Sequence, residues 1–342
     1  MNKERDQIDL NGDIYHLHEE LGKGTFALVF RGIHSKTNKS YAVKIVLTGT
    51  KTVEKECEAL SHCGIHPNII QFHTHGIISE ENKDVPVLLF EQAVNGDIFQ
   101  IIRNAKGVGL PENVCRTYFY QLFTALKHLH SRGIYHRDIK VENLLLDHNY
   151  NLKLADFGLS YFSKEHDTHN SKNKSDWVLP FSLLVSNCLG ESKKEECLIE
   201  GDVGTTPYAA PEIFTEQFYL GSKVDIWSSG CALFVMLLCC PPFIKPIRNK
   251  CQLFDLVADG KFNYFFSVFE EDKNILSYQV KDLLENIFKV ETYCRYTIPD
   301  VFASDWMQME RLSPQQLKSK MLVITNNSSI TKKRSRSNKN IK

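Results

Sequence analysis

Tyr135-His136-Arg137-Asp138-Ile139-Lys140-Val141-Glu142-Asn143, running into the apolar Leu144-Leu145-Leu146 and then to Ala155-Asp156-Phe157-Gly158, decides how this 342-residue chain is read. Three acids, an ammonium and an amide sit in two short polar loops separated by strand-like apolar residues. Taken singly, each has an ordinary explanation: Asp138 as a turn residue, Asn143 as a helix cap, Asp156 as an Asx turn. Coincidence does not account for all of them in this order.

Working outward, Gly22-Lys23-Gly24-Thr25-Phe26-Ala27 lies between two predicted strands. It reads either as a plain turn or as a flexible loop whose backbone N–H groups lie over phosphates. Further on, Tyr41-Ala42-Val43-Lys44 closes an apolar strand with a lysine. Such a lysine either snorkels to solvent or holds phosphates while a carboxylate of the next helix holds it. Glu54, Glu56 and Glu58 are the candidates, and Glu56 is chosen because Leu60, four residues on, shares its helical face.

The pattern HRDxKxxN followed by DFG resembles the catalytic and metal loops of eukaryotic-type serine/threonine protein kinases. Further matches carry the resemblance across most of the chain. Gly204-Thr205-Thr206-Pro207-Tyr208-Ala209-Ala210-Pro211-Glu212 is similar to the end of an activation segment, and Asp225-Ile226-Trp227-Ser228-Ser229-Gly230 to the helix that anchors the catalytic loop. Arg295 falls where the family pairs an arginine with Glu212. The resemblance implies an α+β bilobal fold: a small N-terminal antiparallel β-lobe with one helix, and a larger, mainly helical C-terminal lobe.

It also implies roles. Phosphoryl transfer spreads charge over the γ-oxygens, so the protein positions groups and neutralises charge. Asp138 is then the base for the incoming hydroxyl, Lys140 touches the moving phosphate, and Lys44 with Glu56 holds the α- and β-phosphates. Asn143 and Asp156 offer the oxygen ligands that Mg²⁺, or Mn²⁺ in its place, prefers. ATP is expected against Leu21, Gly22, Lys23, Gly24, Thr25, Phe26, Ala27, Val29, Ala42 and Lys44 on one side, and Leu145 and Asp156 on the other. Glu91 and Ala93 form the hinge after a bulky Phe90, and Asp97 meets the ribose. Lys140 and Gly204-Thr205 resemble serine/threonine rather than tyrosine kinases, so the expected partners are ATP and proteins with Ser or Thr acceptors. Leu110-Pro111-Glu112 and Thr297-Ile298-Pro299-Asp300 are similar to phrases of the calmodulin-dependent group, which includes checkpoint effector and AMP-activated kinases. Asp97 and Glu142 are candidates for reading a basic residue before the acceptor.

The bulk numbers agree. Forty-one Lys and Arg balance 41 Asp and Glu, so no global charge draws the chain to nucleic acid or a membrane surface. Ten cysteines without a CxxC pair fit reduced thiols in the cytoplasm or nucleus, not a zinc knuckle or a disulfide framework. The apolar run 231–240 falls short of the ~20 residues a membrane span needs. The expected layout is an extension at 1–14, a kinase domain at 15–310 (N-lobe 15–92, C-lobe 93–310), a long activation-segment insertion at about 164–200, and a basic, disordered tail at 311–342. Lys332-Lys333-Arg334-Ser335-Arg336 in that tail reads as a solvated segment or a nuclear-import signal.

Departures from the family pattern are mild: Ala27 replaces a third glycine and Val141 a proline. Where an activation-segment phosphoacceptor usually lies there is Gly201, flanked by Glu200 and Asp202. Activity without phosphorylation there is therefore expected, these carboxylates supplying negative charge to Arg137. The rival from another class, a pseudokinase scaffold, would lose the strand lysine, the base or a metal ligand, and Lys44, Asp138, Asn143 and Asp156 are all present.

Overall fold

The computed structural model describes residues 7–24, 26–48, 50–80, 83–105, 108–163, 198–201, 203–270 and 276–337. Runs rich in β-branched and aromatic residues, broken at turn-forming Asn, Gly and Thr, give strands β1 (Gln7–Leu10), β2 (Asp13–Lys23), β3 (Ala27–His34), β4 (Ser40–Val46), β5 (Phe72–Glu80) and β6 (Lys83–Glu91). They form one antiparallel sheet in the order β1-β2-β3-β4-β6-β5. The residues before 15, expected to be an extension, supply β1. Ile8 and Leu10 are buried with Tyr15, Val43, Ile45, Val87 and Leu89 in a small core of the sheet's own.

Helix α1 (Thr50–Cys63) interrupts the strands, and its inward stripe is Val53, Glu56, Leu60 and Cys63. One acid in an otherwise apolar stripe requires a partner, and that requirement fixes where α1 docks.

The larger lobe begins with α2 (Ile98–Asn104) and α3 (Glu112–His130). Val114, Tyr118, Leu122, Ala125, Leu126 and Leu129 of α3 are fully buried, as their spacing predicts. Short strands β7 (Ile134–Tyr135), β8 (Leu144–Leu146), β9 (Leu152–Leu154) and β10 (Tyr161–Phe162) carry the polar loops between them. β8 pairs with β9, and β10 with β7. The insertion lies outside the described residues except for β11 (Leu198–Glu200), which pairs antiparallel with β12 (Phe218–Leu220) after the short α4 (Glu212–Thr215).

Helix α5 (Gly221–Leu238) packs on α3 and is apolar enough to cross a membrane, but 89% of it is buried inside the lobe. Around it lie α6 (Gln252–Ala258), α7 (Phe262–Glu270), α8 (Tyr278–Ile287), α9 (Ile298–Ala303) and α10 (Asp305–Gln308).

The tail is corrected. Pro314–Ser337 form helix α11, and Leu317 and Met321, one turn apart, are completely buried against the large lobe. Lys318 Nζ donates to Asn149 Oδ1 at 2.9 Å, and the Arg311 guanidinium lies 3.9 Å from the centre of the Tyr120 ring. Leu317, Met321 and Ile324 form a narrow helical stripe that polar neighbours conceal in a reading by composition.

Candidate active site

Three strands bring the first group together. Gly22 lies opposite Val29, and Val29 opposite Lys44, so these positions share one face of the sheet, with Ala42 two residues before Lys44 on the same face. That face looks toward the large lobe. Leu21 and Lys23 end β2, and Phe26 is 67% exposed at the loop tip. Ala27 begins β3, its carbonyl accepting the Gly24 N–H at 2.9 Å, so the missing third glycine leaves the turn closed. Thr25 lies outside the described residues.

Lys44 Nζ reaches Glu56 Oε1 at 2.7 Å and Oε2 at 2.9 Å, and Asp156 Oδ1 at 3.1 Å. Of the three acids on α1, Glu56 is the one that meets the lysine, and it is 3% exposed. Burial opposes the Lys44 charge, but the Asp156 and Glu56 carboxylates outweigh it and hold the ammonium above its ordinary pKa. Burial pushes Glu56 up, and Lys44 only partly offsets it because Asp156 adds a second negative charge. Burial works on Asp156 as well, yet the charge and hydrogen bond of Lys44 prevail and hold it below the ordinary value. The lysine is therefore a fixed cation shared by two carboxylates, and the Asp156 side chain stays 49% exposed toward the cleft.

The second group comes from the large lobe. Asp225 of α5, fully buried, accepts the backbone N–H groups of His136 at 2.9 Å and Arg137 at 2.7 Å, and pairs with His130 Nε2 at 2.8 Å. Arg137 is thereby held at φ 63°, a left-handed backbone unusual for a side chain of its size. The turn aims Asp138, whose carboxylate takes Lys140 Nζ at 2.5 Å on Oδ2 and the Thr205 hydroxyl at 2.7 Å on Oδ1. Lys140 Nζ also donates to Thr205 Oγ1 at 2.9 Å.

Asn143 Nδ2 donates to the Asp138 carbonyl at 2.8 Å and to Asp138 Oδ2 at 3.3 Å. Its amide is thus oriented with Nδ2 toward Asp138 and Oδ1 turned away from it. The two groups are tied by the Ala155 N–H, which donates to the Asn143 carbonyl at 2.9 Å and sets Asp156 beside Asn143 in the chain's path. Asp156 takes φ 65°, and Phe157 buries itself against His136 with ring centres 5.1 Å apart.

The donor set fits a magnesium ion. Asp156 Oδ2 and Asn143 Oδ1 have no donor among the described residues, and both are hard oxygens. No cluster of three His, Cys, Asp or Glu forms a metal cage among the described residues. Two open oxygens without a cage suit an ion whose remaining ligands are water and phosphate.

The hinge follows. Phe90 is buried against Phe72, with ring centres 5.7 Å apart, and the Ala93 N–H has no acceptor among the described residues. The Glu91 side chain turns away from the cleft to take Lys153 Nζ at 2.7 Å and the Gln71 N–H at 2.8 Å. Asp97 caps α2, accepting Gln100 N and Gln100 Nε2, each at 2.7 Å, and bridges in backbone to Leu145.

Three participants escaped the reading of the sequence. Thr205, with Gly204, marks serine/threonine specificity in the sequence, but its hydroxyl contacts with Asp138 and Lys140 have no sequence signal. The Lys153–Glu91 clamp had no signal: Glu91 was expected at the hinge, but Lys153, 62 residues on, reads as a surface charge. Tyr219 had none either; its hydroxyl accepts Arg137 NH1 at 3.2 Å and donates to the Gly201 carbonyl at 2.9 Å. The charge expected for Arg137 is corrected in part: Glu200 forms no ion pair with it among the described residues and stays exposed on β11, while Asp202 lies outside them.

Residues 15–307 match the family model described as protein kinase domain. The chain is 32% identical over 300 residues to CBL-interacting protein kinase 11 of Oryza sativa subsp. japonica, covering 85% of this chain and 51% of that protein. It is 30% identical over 311 residues to CBL-interacting serine/threonine-protein kinase 20 of Arabidopsis thaliana, covering 88% of this chain and 61% of that one. The chain thus spans between about half and three-fifths of the length of these relatives.

Proposed function

The chain belongs to the protein kinase family, and from that premise we propose that it moves the γ-phosphate of ATP onto serine or threonine hydroxyls of other proteins. The observation that carries the reading is the convergence on one cleft of Lys44–Glu56–Asp156 and Asp138–Lys140–Asn143, joined through the Ala155–Asn143 hydrogen bond.

Asp138 accepts the proton of the incoming hydroxyl and aligns it. Its carboxylate sits on a buried turn pinned by Asp225, so little reorganisation accompanies the step. Lys140 neutralises charge gathering on the moving phosphoryl oxygens. Lys44 holds the α- and β-phosphates, with Glu56 keeping its ammonium in the cleft. Asp156 and Asn143 would hold Mg²⁺, or Mn²⁺, which when bound supplies charge neutralisation at the phosphate oxygens. The free Ala93 N–H and the Glu91 carbonyl offer adenine a donor and an acceptor, while Leu145, Val29 and Ala42 supply apolar faces. Asp97, engaged as the cap of α2 and bridged through its backbone to Leu145, is the acid assigned to the ribose. The basic run Lys332-Lys333-Arg334-Ser335-Arg336 and the reduced cysteines support a place in the cytoplasm, the nucleus or both.

The test is Mg-dependent transfer of labelled γ-phosphate to myelin basic protein and a Ser/Thr peptide library. Asp138→Asn should lower transfer by about 10²–10⁴-fold, the usual contribution of a positioned base, with ATP binding retained. Equal transfer by wild type and variant would remove Asp138 from the chemistry. No transfer by wild-type protein that binds ATP would favour a pseudokinase scaffold.

A further inference from the structure

Resting on the kinase reading, we infer that Tyr219 is a positioning residue: its neutral hydroxyl joins Arg137 to the activation segment and does the work that a phosphorylated residue does elsewhere. Arg137 precedes the base on the turn that Asp225 pins, so whatever holds its guanidinium is tied to the turn that aims Asp138. Its Nε donates to the Leu159 carbonyl at 2.9 Å and its NH1 to the Tyr219 hydroxyl at 3.2 Å. The Tyr161 ring lies 5.7 Å away on one face of the guanidinium. The Tyr219 hydroxyl has one proton, and with Arg137 as its donor that proton goes to the Gly201 carbonyl, at 2.9 Å. The catalytic loop, the segment at Gly201 and β12 therefore meet at a single oxygen.

The surroundings are built to keep that oxygen in place. Tyr219 is 2% exposed and lies opposite Ile199 in the β11–β12 ladder, and Ile199 is itself 2% exposed. Gly221 makes room for the packing: a Cβ there would lie 2.6 Å from the Tyr135 ring and 2.7 Å from Ile199. Gly204, at φ +104°, lets the segment pass so close that a Cβ would stand 2.9 Å from the Arg137 carbonyl. A phosphate clasp needs an added anion before the segment is ordered. Here a ladder, a buried isoleucine and a shared hydroxyl order the return of the segment from residues already in the chain.

Three arms on the full chain test this. First, wild-type protein treated with phosphatase should keep its rate of peptide phosphorylation within about twofold, whereas loss of activity on treatment would overturn the inference. Second, Tyr219→Phe, which keeps the ring and removes the shared oxygen, should lower kcat about tenfold while leaving KM for ATP unchanged, the size of one buried hydrogen-bond partner lost. An unchanged kcat would overturn the inference. In an Arg137→Ala background the same substitution should add nothing, because Tyr219 acts through Arg137. Multiplying losses would mark Tyr219 as merely structural and refute the assignment. Third, amide exchange at 198–204 should quicken in Tyr219→Phe, and unchanged exchange would count against the bridge even in protein with no measurable transfer. Absence of transfer from wild type before and after phosphatase treatment would instead refute the kinase reading, so the two failures are separable.

Discussion

Lys44–Glu56 and Arg295–Glu212 are both buried cation–glutamate pairs, yet only the first reaches a group that opens to the cleft. Arg295 and Glu212 meet through two contacts, at 2.5 and 3.0 Å, and are 1% and 2% exposed. The remaining guanidinium protons go to the carbonyls of Lys289, Lys223 and Val290, and its face lies 4.9 Å from the centre of the Trp227 ring. Every valence is spent inside the protein. Lys44 and Glu56 are nearly as hidden, but the lysine has a third partner, Asp156, whose side chain opens to the cleft. Burial and pairing do not mark an active site; a pair that leaves one oxygen free for a ligand does.

Breaking each pair should therefore read out differently. Arg295→Leu leaves the buried Glu212 without its cation and should lower stability by about 3–5 kcal/mol, the usual cost of orphaning one partner of a buried pair. Urea unfolding would measure it, and the surviving folded fraction should keep its KM for ATP. Lys44→Met should do the reverse. Without the cation Glu56 can take up a proton in its dry site, so the unfolding midpoint should move little, while transfer falls about 10²–10³-fold, as when one fixed charge donor is lost. If Lys44→Met proved the more destabilising and Arg295→Leu the more catalytically damaging per folded molecule, the distinction drawn here would be wrong.

How much of this was legible beforehand follows the same division. That Lys44, Glu56, Asp138, Lys140, Asn143 and Asp156 would converge could be read because the short stretches that hold them resemble the loops of protein kinases, and the structure brings them to one cleft. The choice of Glu56 over its neighbours rested on a helical face, and periodicity survives in sequence. Tyr219 and the Lys153–Glu91 clamp could not be read, because each joins residues far apart through a contact that any tyrosine or surface lysine could make. β1 and α11 were missed for a related reason. Each hides only two fully buried residues, Ile8 with Leu10 and Leu317 with Met321, inside segments whose composition is otherwise that of a solvated terminus.

The smallest expected effect tests the electrostatics of the shared lysine. Burial raises the Glu56 carboxyl above its ordinary value of 4.5, so the folded state holds that proton more tightly than the unfolded chain does. Stability from this group is fully present below 4.5 and is lost as pH rises through the folded value. Burial also works to raise Asp156, but Lys44 prevails and brings it below 3.8; its contribution is present above 3.8 and is lost as pH falls through the folded value. Two carboxylates on one lysine thus give opposite slopes. Urea midpoints from pH 3 to 8 should show wild type losing ground to Glu56→Gln as pH rises above 4.5. Against Asp156→Asn, wild type should gain ground as pH rises toward 3.8 and hold it beyond. Parallel slopes would mean that Lys44 serves both acids equally, and that Glu56 is no more desolvated than the residue facing the cleft.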